Sequence, residues 1–422
     1  FQDCEVFSHS NNMTSFSGKW LYAGQQAEQL IIHLNRLNDN FFVDYDYLIQ
    51  FYTEDTIVRL HKYVTRLLSQ MLNDPDCPVW RFQMVNEDER ETLLYTNNKP
   101  KIERDLETVP EKFLAESELH PERCALIFQG TRMTYSSLQR YATSFTNAIY
   151  ATGKENPTVA ICLPRGFALI ASMLGIAGSG GVWVVVPPDL PQIRIEEILA
   201  ESEAEIVITN CAYLGMFENL PQLCLLSESV STEGEWCEIT AQPTPPAYMI
   251  STSGSTGRPK CAVVPHKAIV NFAYAMKPYY PRGGILSICN TGFDAFLLET
   301  IAALLCGRTV IIATETECNN PEALAGLIRN YGVSFLATTP SRLNALLRNE
   351  SFANAISNFE SIVCGGEPLS GELVQKVKNL TRARIYNQYG PSETAIGVSI
   401  KEVNNSEEIT IGKAMQNCRL YI

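Results

Sequence analysis

Tyr248-Met-Ile-Ser-Thr-Ser-Gly-Ser-Thr-Gly-Arg-Pro-Lys-Cys-Ala-Val-Val264 sets a run of small hydroxyl and glycine residues between two apolar stretches. Tyr248-Met-Ile250 and Cys261-Ala-Val-Val264 read as buried strands, so the segment between them is a strand-to-strand loop, not a solvated Gly/Ser linker. Thr252, Ser253, Gly254, Ser255, Thr256 and Gly257 offer unencumbered N–H groups and hydroxyls to a polyphosphate, and Arg258 and Lys260 bring positive charge. A Walker loop needs glycine directly before lysine, then Ser or Thr, then a helix. Here Pro259 separates Gly257 from Lys260, Cys261 follows, and Pro265 closes a β-branched run. No helix starts there, which excludes the Walker type.

Outward from this loop, from about residue 110, apolar strand-like runs alternate with helical stretches, the pattern of an α/β domain. Expected strands are Thr158–Leu163, Val182–Val186, Glu205–Thr209, Tyr248–Ser251, Thr309–Ala313, Ser334–Ala337 and Ser361–Cys364. Expected helices are Ser136–Thr152, Pro191–Glu201, Pro321–Asn330 and Pro340–Leu347, opened by Pro or Ser as a first turn prefers. Gly166 to Pro188 carries no charge, but Gly178-Ser-Gly-Gly181 breaks it into helix, turn and buried strand, so no membrane span is expected. Residues 1–97 differ. Glu54 to Leu72 reads as an amphipathic helix capped by Thr53, with Ile57, Leu60, Val64, Leu67, Leu68 and Met71 on one face. Asn73-Asp-Pro75 ends it, Gln29–Leu34 and Phe41–Tyr47 are candidate paired strands, and His9, His33 and His61 read as surface or packing residues. Asn73 to Pro110, rich in Pro and Asn, reads as an inter-domain linker.

The 422 residues, 45% of them hydrophobic, suffice for more than one domain with a large core. A net charge of −13 argues against a general nucleic-acid surface, though not against an anionic nucleotide held by one local loop. Thirteen cysteines without a Cys-x-x-Cys pair give neither a zinc framework nor a disulfide scaffold and point to a reducing cytoplasm. The start Phe1-Gln-Asp-Cys4 has no methionine or leader character and reads as a piece of something longer.

Three further segments add chemistry. Phe293-Asp294-Ala295 sets a carboxylate among apolar residues, Cys364-Gly-Gly-Glu-Pro368 ends a strand in a tight turn, and Asn387-Gln-Tyr-Gly-Pro-Ser-Glu393 ends another. Ligands of open α/β sheets sit beyond the carboxyl ends of strands, where these turns fall. Alone, each turn is unremarkable; their order and spacing after the phosphate loop are not. With Met133-Thr-Tyr-Ser-Ser-Leu138, Tyr248 to His266 and Ile411-Gly-Lys413, they make the chain from about Leu106 to Ile422 resemble the adenylate-forming superfamily. The resemblance is specifically to the amino-acid adenylation domain of a nonribosomal peptide synthetase. Residues 1–97, notably Glu87-Asp-Glu-Arg90, resemble the C-terminal end of a condensation domain plus linker, and 98–422 the N-terminal core of the adenylation domain.

The resemblance implies an α/β fold of layered sheets flanked by helices, behind an α+β condensation-domain remnant. It implies attack of an amino-acid carboxylate on the α-phosphorus of ATP, then transfer of the acyl group to the phosphopantetheine thiol of a carrier domain outside this chain. Charge neutralisation and alignment supply most of such catalysis. Thr252 to Gly257 with Lys260 would hold the β- and γ-phosphates, Thr256, Lys260 and Glu393 being the candidate catalytic residues. Glu393 is the candidate Mg²⁺ ligand, the competing reading being a first-turn helix acid. Tyr389 offers its ring to the adenine, and Gly365, Gly366, Glu367, Pro368, Asn387, Gly390 and Ser392 complete the nucleotide set. Asp294 would meet the substrate ammonium, since an unpaired carboxylate in an apolar setting needs a cation; a helix N-cap is its competing role.

The pocket positions carried over are Asp294, Ala295, Leu298, Ala337, Val363, Gly365, Gln388, Ile396 and Gly397. Small Ala337, Gly365 and Gly397 imply room for a large side chain, aromatic above all, with Gln388 facing a phenol or indole polar atom; tight packing within the sheet is the plain alternative. Cys261 for glycine, Phe296 for serine, the altered Val185-Val-Pro-Pro-Asp189 and Ser392 for threonine depart from the family pattern and bear on efficiency more than class. The family's ribose-binding aspartate, hinge and small C-terminal subdomain with its lysine are expected beyond Ile422, so the 422 residues alone are expected to turn over slowly. No His-His-x-x-x-Asp-Gly motif is present, so no peptide-bond formation is expected. An acyl- or aryl-CoA ligase, or a non-catalytic scaffold, are the competing functions.

Overall fold

The computed structural model describes residues 28–37, 40–96, 98, 102, 107–234, 245–253, 259–403 and 408–421. It divides into two compact units, Phe1–Leu94 and Tyr95–Ile422.

In the first unit, Leu30–Leu37 and Asn40–Tyr47 form an antiparallel pair, and Glu54–Asn73 is one long helix. The Thr53 hydroxyl accepts the Thr56 N–H at 3.3 Å and caps that helix as expected. His33, partly buried, pairs with Asp46 at 3.0 Å, and Tyr45 meets exposed His61 at 3.1 Å, so the one packs and the other lies on the surface. His9 lies outside the described residues. The expected apolar face is only partly covered: Ile57 is the helix's one buried residue, while Leu68 and Met71 are exposed. Two strands about 5 Å apart are too narrow to cover a helix roughly 10 Å across.

The expected linker from Asn73 to Pro110 is more structured than its composition implies. A short helix, Glu87–Glu91, is capped by Asn86, and Val109–Leu119 is a helix whose Val109 and Pro110 are buried. Thr108 and Glu111 close a capping box there, and proline in a first turn sacrifices no hydrogen bond. Buried His266 accepts the Val109 N–H on Nδ1 at 3.4 Å; burial pushes its pKa down to about 4 and keeps it a neutral acceptor.

The second unit is built on two sheets. In the six-stranded sheet the order is Pro259–Pro265, Pro246–Ser253, Val182–Val185, Thr158–Ile161, Ile206–Thr209 and Leu223–Leu226, parallel except for the first pair. The nine-stranded sheet runs Lys413–Ala414, Ser399–Glu402, Arg384–Tyr389, Ser361–Gly365, Val333–Thr338, Gly284–Ser287, Val310–Ile312, Cys124–Phe128 and Thr131–Thr134. It is parallel from Arg384–Tyr389 to Cys124–Phe128 and antiparallel at both edges.

Period-two alternation sorts each strand's side chains between separate cores. Val159 and Ile161 join Phe335, Ala337 and Val363 in the largest cluster, between the sheets, while Ala160 and Leu336 face outer clusters. Helices Tyr135–Tyr150, Phe167–Gly178 and His266–Met276 fill the space between the sheets; Gln192–Glu201 covers the outer face of one sheet, and Pro321–Tyr331 and Gly371–Lys378 that of the other. The layers run helix, sheet, helix, sheet, helix, as the α/β reading expects. Among the described residues, no helix is long and apolar enough to cross a membrane. All described cysteines are free thiols.

Candidate active site

Four neighbouring parallel strands, Gly284–Ser287, Val333–Thr338, Ser361–Gly365 and Arg384–Tyr389, deliver their carboxyl ends to one place. Their register sets Ala337 beside Val363, Cys364 beside Asn387 and Gly365 beside Gln388. Asp294 lies seven residues past Ser287, at the start of the Ala295–Glu299 helix. Its side chain makes no capping hydrogen bond, so the competing N-cap role is not taken. Burial pushes the Asp294 carboxyl pKa upward, against the pull of the Ser392 hydroxyl and of the Ala295 and Ile396 N–H groups. Its Oδ2 is buried without a partner. So is the hydroxyl of Tyr248, whose pKa burial and the neighbouring Asp294 charge both raise.

The strands on either side of the expected phosphate loop pair antiparallel: Thr252 pairs with Lys260 and Cys261 with Ser251. A strand, not a helix, follows it. The Thr252 hydroxyl donates to the Lys260 carbonyl at 3.2 Å and closes the base of the hairpin. Lys260 is exposed. Gly254, Ser255, Thr256, Gly257 and Arg258 lie outside the described residues, and of Ser253 only the backbone is described. The Pro259–Pro265 strand packs against the 3-10 turn Ser392–Thr394, so the hairpin and the Asn387–Glu393 segment are neighbours. Glu393 is exposed in the first turn of that short helix. Cys261 is half-buried, and burial pushes its thiol up to about 11.

Around the base-binding positions, several side chains serve the scaffold. Glu367 accepts the Ser341 N–H at 3.1 Å in the first turn of the Pro340–Leu346 helix. Asn387 donates to the Thr410 carbonyl at 2.9 Å. Gly366, exposed like Glu367 and Pro368, holds φ +80 to turn the chain away from the strand. Tyr389 keeps its ring 47% exposed.

Leu298, Val363, Ala337, Gln388 and Ile396 are buried, as pocket walls or packing residues must be. Gln388 donates from Nε2 to two thioethers, Met276 Sδ at 3.6 Å and Met415 Sδ at 3.9 Å, both weak acceptors. Gly397 lies against it: a Cβ there would fall 2.5 Å from Gln388 Nε2 and 3.0 Å from Phe272 Cε2. Ile396 holds φ +68, with the Gly397 N–H donating to the Ala395 carbonyl at 2.7 Å, a γ-turn that a β-branched residue adopts only under strain.

Sequence reasoning missed Glu299, Arg165 and Arg342. Glu299 Oε2 accepts the Ile288 and Cys289 N–H groups, each at 2.9 Å. Arg165 donates to the carbonyls of Ser287, Cys289 and Ala313, and Arg342 to those of Ile288 and Cys318. The available signal was lone charges in apolar runs: Glu299 closes Ala295-Phe-Leu-Leu298, and Arg165 precedes the uncharged stretch from Gly166.

The description "AMP-binding enzyme" matches residues 113–422. The chain belongs to the AMP-binding enzyme family. It is 29% identical to gramicidin S synthase 2 of Brevibacillus brevis over 385 residues, 89% of this chain and 9% of that protein. It is 26% identical to bacitracin synthase 2 of Bacillus licheniformis over 393 residues, 91% of this chain and 15% of that one. The chain thus spans a small part of the length of these relatives. FmoA3, a nonribosomal peptide synthetase solved with α-methyl-L-serine-AMP bound, shares the fold at a TM-score of 0.82 and 22% identity, covering 92% of this chain and 46% of that one. The N-terminal subdomain of Klebsiella oxytoca NpsA, solved with 3-hydroxybenzoyl-AMSN, matches at 0.66 and 23%, covering 74% of this chain and 81% of that one. The AMP-binding assignment agrees with the layered fold.

Proposed function

We propose that this member of the family activates an amino acid with ATP and passes the aminoacyl group to a carrier domain of a nonribosomal peptide synthetase. The observation that carries the reading is Asp294: a carboxylate with one oxygen buried and unpartnered, beside an unpartnered Tyr248 hydroxyl, at the end of four parallel strands. A buried acceptor left open in the free protein fits a ligand that brings a cation, and an α-ammonium is such a group. An acyl- or aryl-acid substrate would leave that oxygen unanswered.

In this reading the substrate carboxylate attacks the α-phosphorus of ATP, pyrophosphate leaves and an aminoacyl-adenylate forms. A phosphopantetheine thiol on the carrier then takes the acyl group as a thioester and AMP departs. By their residue types Thr252 to Gly257, with Thr256 and Lys260 foremost, would bind the phosphates, and exposed Tyr389 would offer its ring to the adenine. A magnesium ion travelling with ATP needs few protein ligands, because phosphate oxygens and water fill most of its shell. Exposed Glu393, on the turn packed beside the hairpin strand, fits that need. Among the described residues no cluster of three or more His, Cys, Asp or Glu is built to hold a metal alone, which is consistent with an ion delivered on nucleotide. By the residue types at the pocket positions, the side chain accommodated is large, aromatic foremost; the glycines at 365 and 397 themselves pack against Gln388. Residues 1–97 fit the C-terminal end of a condensation domain with its linker, which makes condensation and carrier domains the natural partners.

Thermal stabilisation tests the reading. MgATP should raise the melting temperature, and an amino acid should raise it further; saturation at 100 times Kd contributes about 2.7 kcal/mol. A panel in which glycine or alanine outperforms tyrosine, tryptophan and phenylalanine would refute the pocket reading. One in which aryl acids outperform every amino acid would refute the substrate class.

A further inference from the structure

Ile288 and Cys289, directly after the Gly284–Ser287 strand, have no regular secondary structure, yet their N–H and carbonyl groups and the Ser287 carbonyl are all held by charged side chains. Glu299 Oε2 takes the N–H groups of Ile288 and Cys289 at 2.9 Å each. Arg165 takes the carbonyls on either side, Ser287 through Nη2 at 2.8 Å and Cys289 through Nη1 at 2.5 Å, while its Nε donates to Ala313 at 2.8 Å. Arg342 takes the remaining carbonyl, Ile288, at 2.9 Å. Beyond this grip, the Asn290 side chain accepts the Gly292 N–H at 2.8 Å, and its carbonyl accepts the Phe293 N–H at 3.1 Å.

Arg165 and Glu299 are both buried, and the Arg165 guanidinium lies over the Phe296 ring at 5.3 Å. Burying two charges far from water is costly, and a loop needs ordinary turn bonds only. Hydrogen bonds from ionised groups are about twice as strong as neutral ones and fix direction. Placed on consecutive peptides, they remove the freedom of the loop that delivers Asp294.

We propose that Glu299, Arg165 and Arg342 are positioning residues that hold the Ser287–Phe293 loop so that the open oxygen of Asp294 meets the substrate ammonium. This rests on the assignment of Asp294 to the ammonium. None of the three needs to touch substrate. Their contribution appears as discrimination between a ligand with an α-amino group and the same ligand without it.

The test uses the full chain and two probes, phenylalanyl-sulfamoyl-adenosine and its 3-phenylpropanoyl counterpart, which lacks the amino group. The ratio of their dissociation constants is measured for the wild type, D294N, E299A, E299Q and R342A. The ratio should collapse in D294N. It should fall about tenfold in E299A and R342A while the amino-free probe stays within about twofold of its wild-type affinity. E299Q, whose amide oxygen can still accept both N–H groups, should keep the wild-type ratio. A purely structural role would weaken both probes alike in E299A and R342A and would overturn the proposal, as would an unchanged ratio in both. Should E299A fail to fold, R342A decides the matter, because it removes a single loop contact from a partly exposed side chain. An unchanged ratio in D294N would overturn the Asp294 assignment itself, a result distinct from a collapse in D294N with none in E299A or R342A.

Discussion

Asp294→Asn should move stability and ligand binding in opposite directions. In the free protein Oδ2 of Asp294 is buried with no partner, and burial holds the carboxyl pKa above its usual 3.8. A buried polar group without a partner costs about 1–3 kcal/mol. Asparagine is isosteric and uncharged; it still presents a polar atom there, so it recovers only part of that cost. The expected gain is at most about 1 kcal/mol, or roughly 1–2 °C in melting temperature for a unit of this size. A raised carboxyl pKa contributes stability that is fully present below 3.8 and lost as pH rises through the folded-state value. The advantage of D294N should therefore be largest near neutrality and vanish in acid. The amino-acid ligand loses a charge-assisted contact worth about 1.5–3 kcal/mol, a weakening of roughly 10- to 150-fold. Calorimetric scanning between pH 4 and 8, with and without MgATP and the amino-acid panel, reads both effects. A D294N protein that melts several degrees lower yet binds its amino acid as tightly as the wild type would show Asp294 to be a scaffold residue.

Gly175→Ala tests the helix pair at the heart of the largest core. A Cβ there would lie 2.5 Å from both the Ala142 carbonyl oxygen and Phe145 Cβ, neither of which can swing away, so helices Tyr135–Tyr150 and Phe167–Gly178 must part. The expected loss is about 1–3 kcal/mol by urea denaturation; a wild-type midpoint would refute that packing. Gly397→Ala intrudes more gently, since the atom 2.5 Å away is the end of the Gln388 side chain; in ligand-binding assays it should shift preference toward smaller amino acids. Equal weakening across the panel would place Gly397 outside the pocket. Burial raises the Glu299 carboxyl from 4.5 to about 7, against the pull of Arg165. Its stabilising contribution is whole below 4.5 and lost as pH rises toward 7, so E299Q should flatten the fall in stability over that window. Burial raises the pKa values of the neighbouring Cys289, Cys318 and Tyr280, away from this window, so a fall undiminished in E299Q would refute the assignment.

The two-sheet fold was legible wherever a strand alternates between cores: Val159, Ala160 and Ile161 point to different layers, and their type alone marks a buried strand. Turns at strand ends were legible too, because Gly366 and Gly397 answer to local backbone needs. Side-chain roles set by distant partners were not. Glu367 lies on the Ser341 N–H, Asn387 on the Thr410 carbonyl and Thr252 on the Lys260 carbonyl, and no pattern within their own motifs points to those partners. Arg165 was the least accessible, since its carbonyl partners lie 122 to 148 residues away. The boundary between the two units falls at Leu94/Tyr95, inside the expected Asn73–Pro110 linker. The short helices it contains were hidden, because composition does not show that Asn86 and Thr108 act as caps.

These placements divide labour at the site. Positions that the family pattern assigns to the nucleotide, Glu367, Asn387 and Thr252, spend their hydrogen bonds on backbone and keep the turns in shape. Asp294 Oδ2 and the Tyr248 hydroxyl, by contrast, are buried without partners. Backbone strain collects there as well, in left-handed Ala395 and Ile396, whose turn brings an N–H toward the Asp294 carboxylate. Unpaired atoms and strained backbone lower stability and persist only where the surrounding structure holds them. A site organised this way recognises a ligand mainly by filling what the free protein leaves open, so affinity for the ammonium should depend on rigidity as much as on contact. The strained turn therefore makes its own prediction: I396G should relax the backbone but give up a buried core side chain, a net loss of about 1–3 kcal/mol, while weakening the aminoacyl probe more than its amino-free counterpart. Equal affinity for both probes in I396G and wild type would mean that the strain serves packing alone.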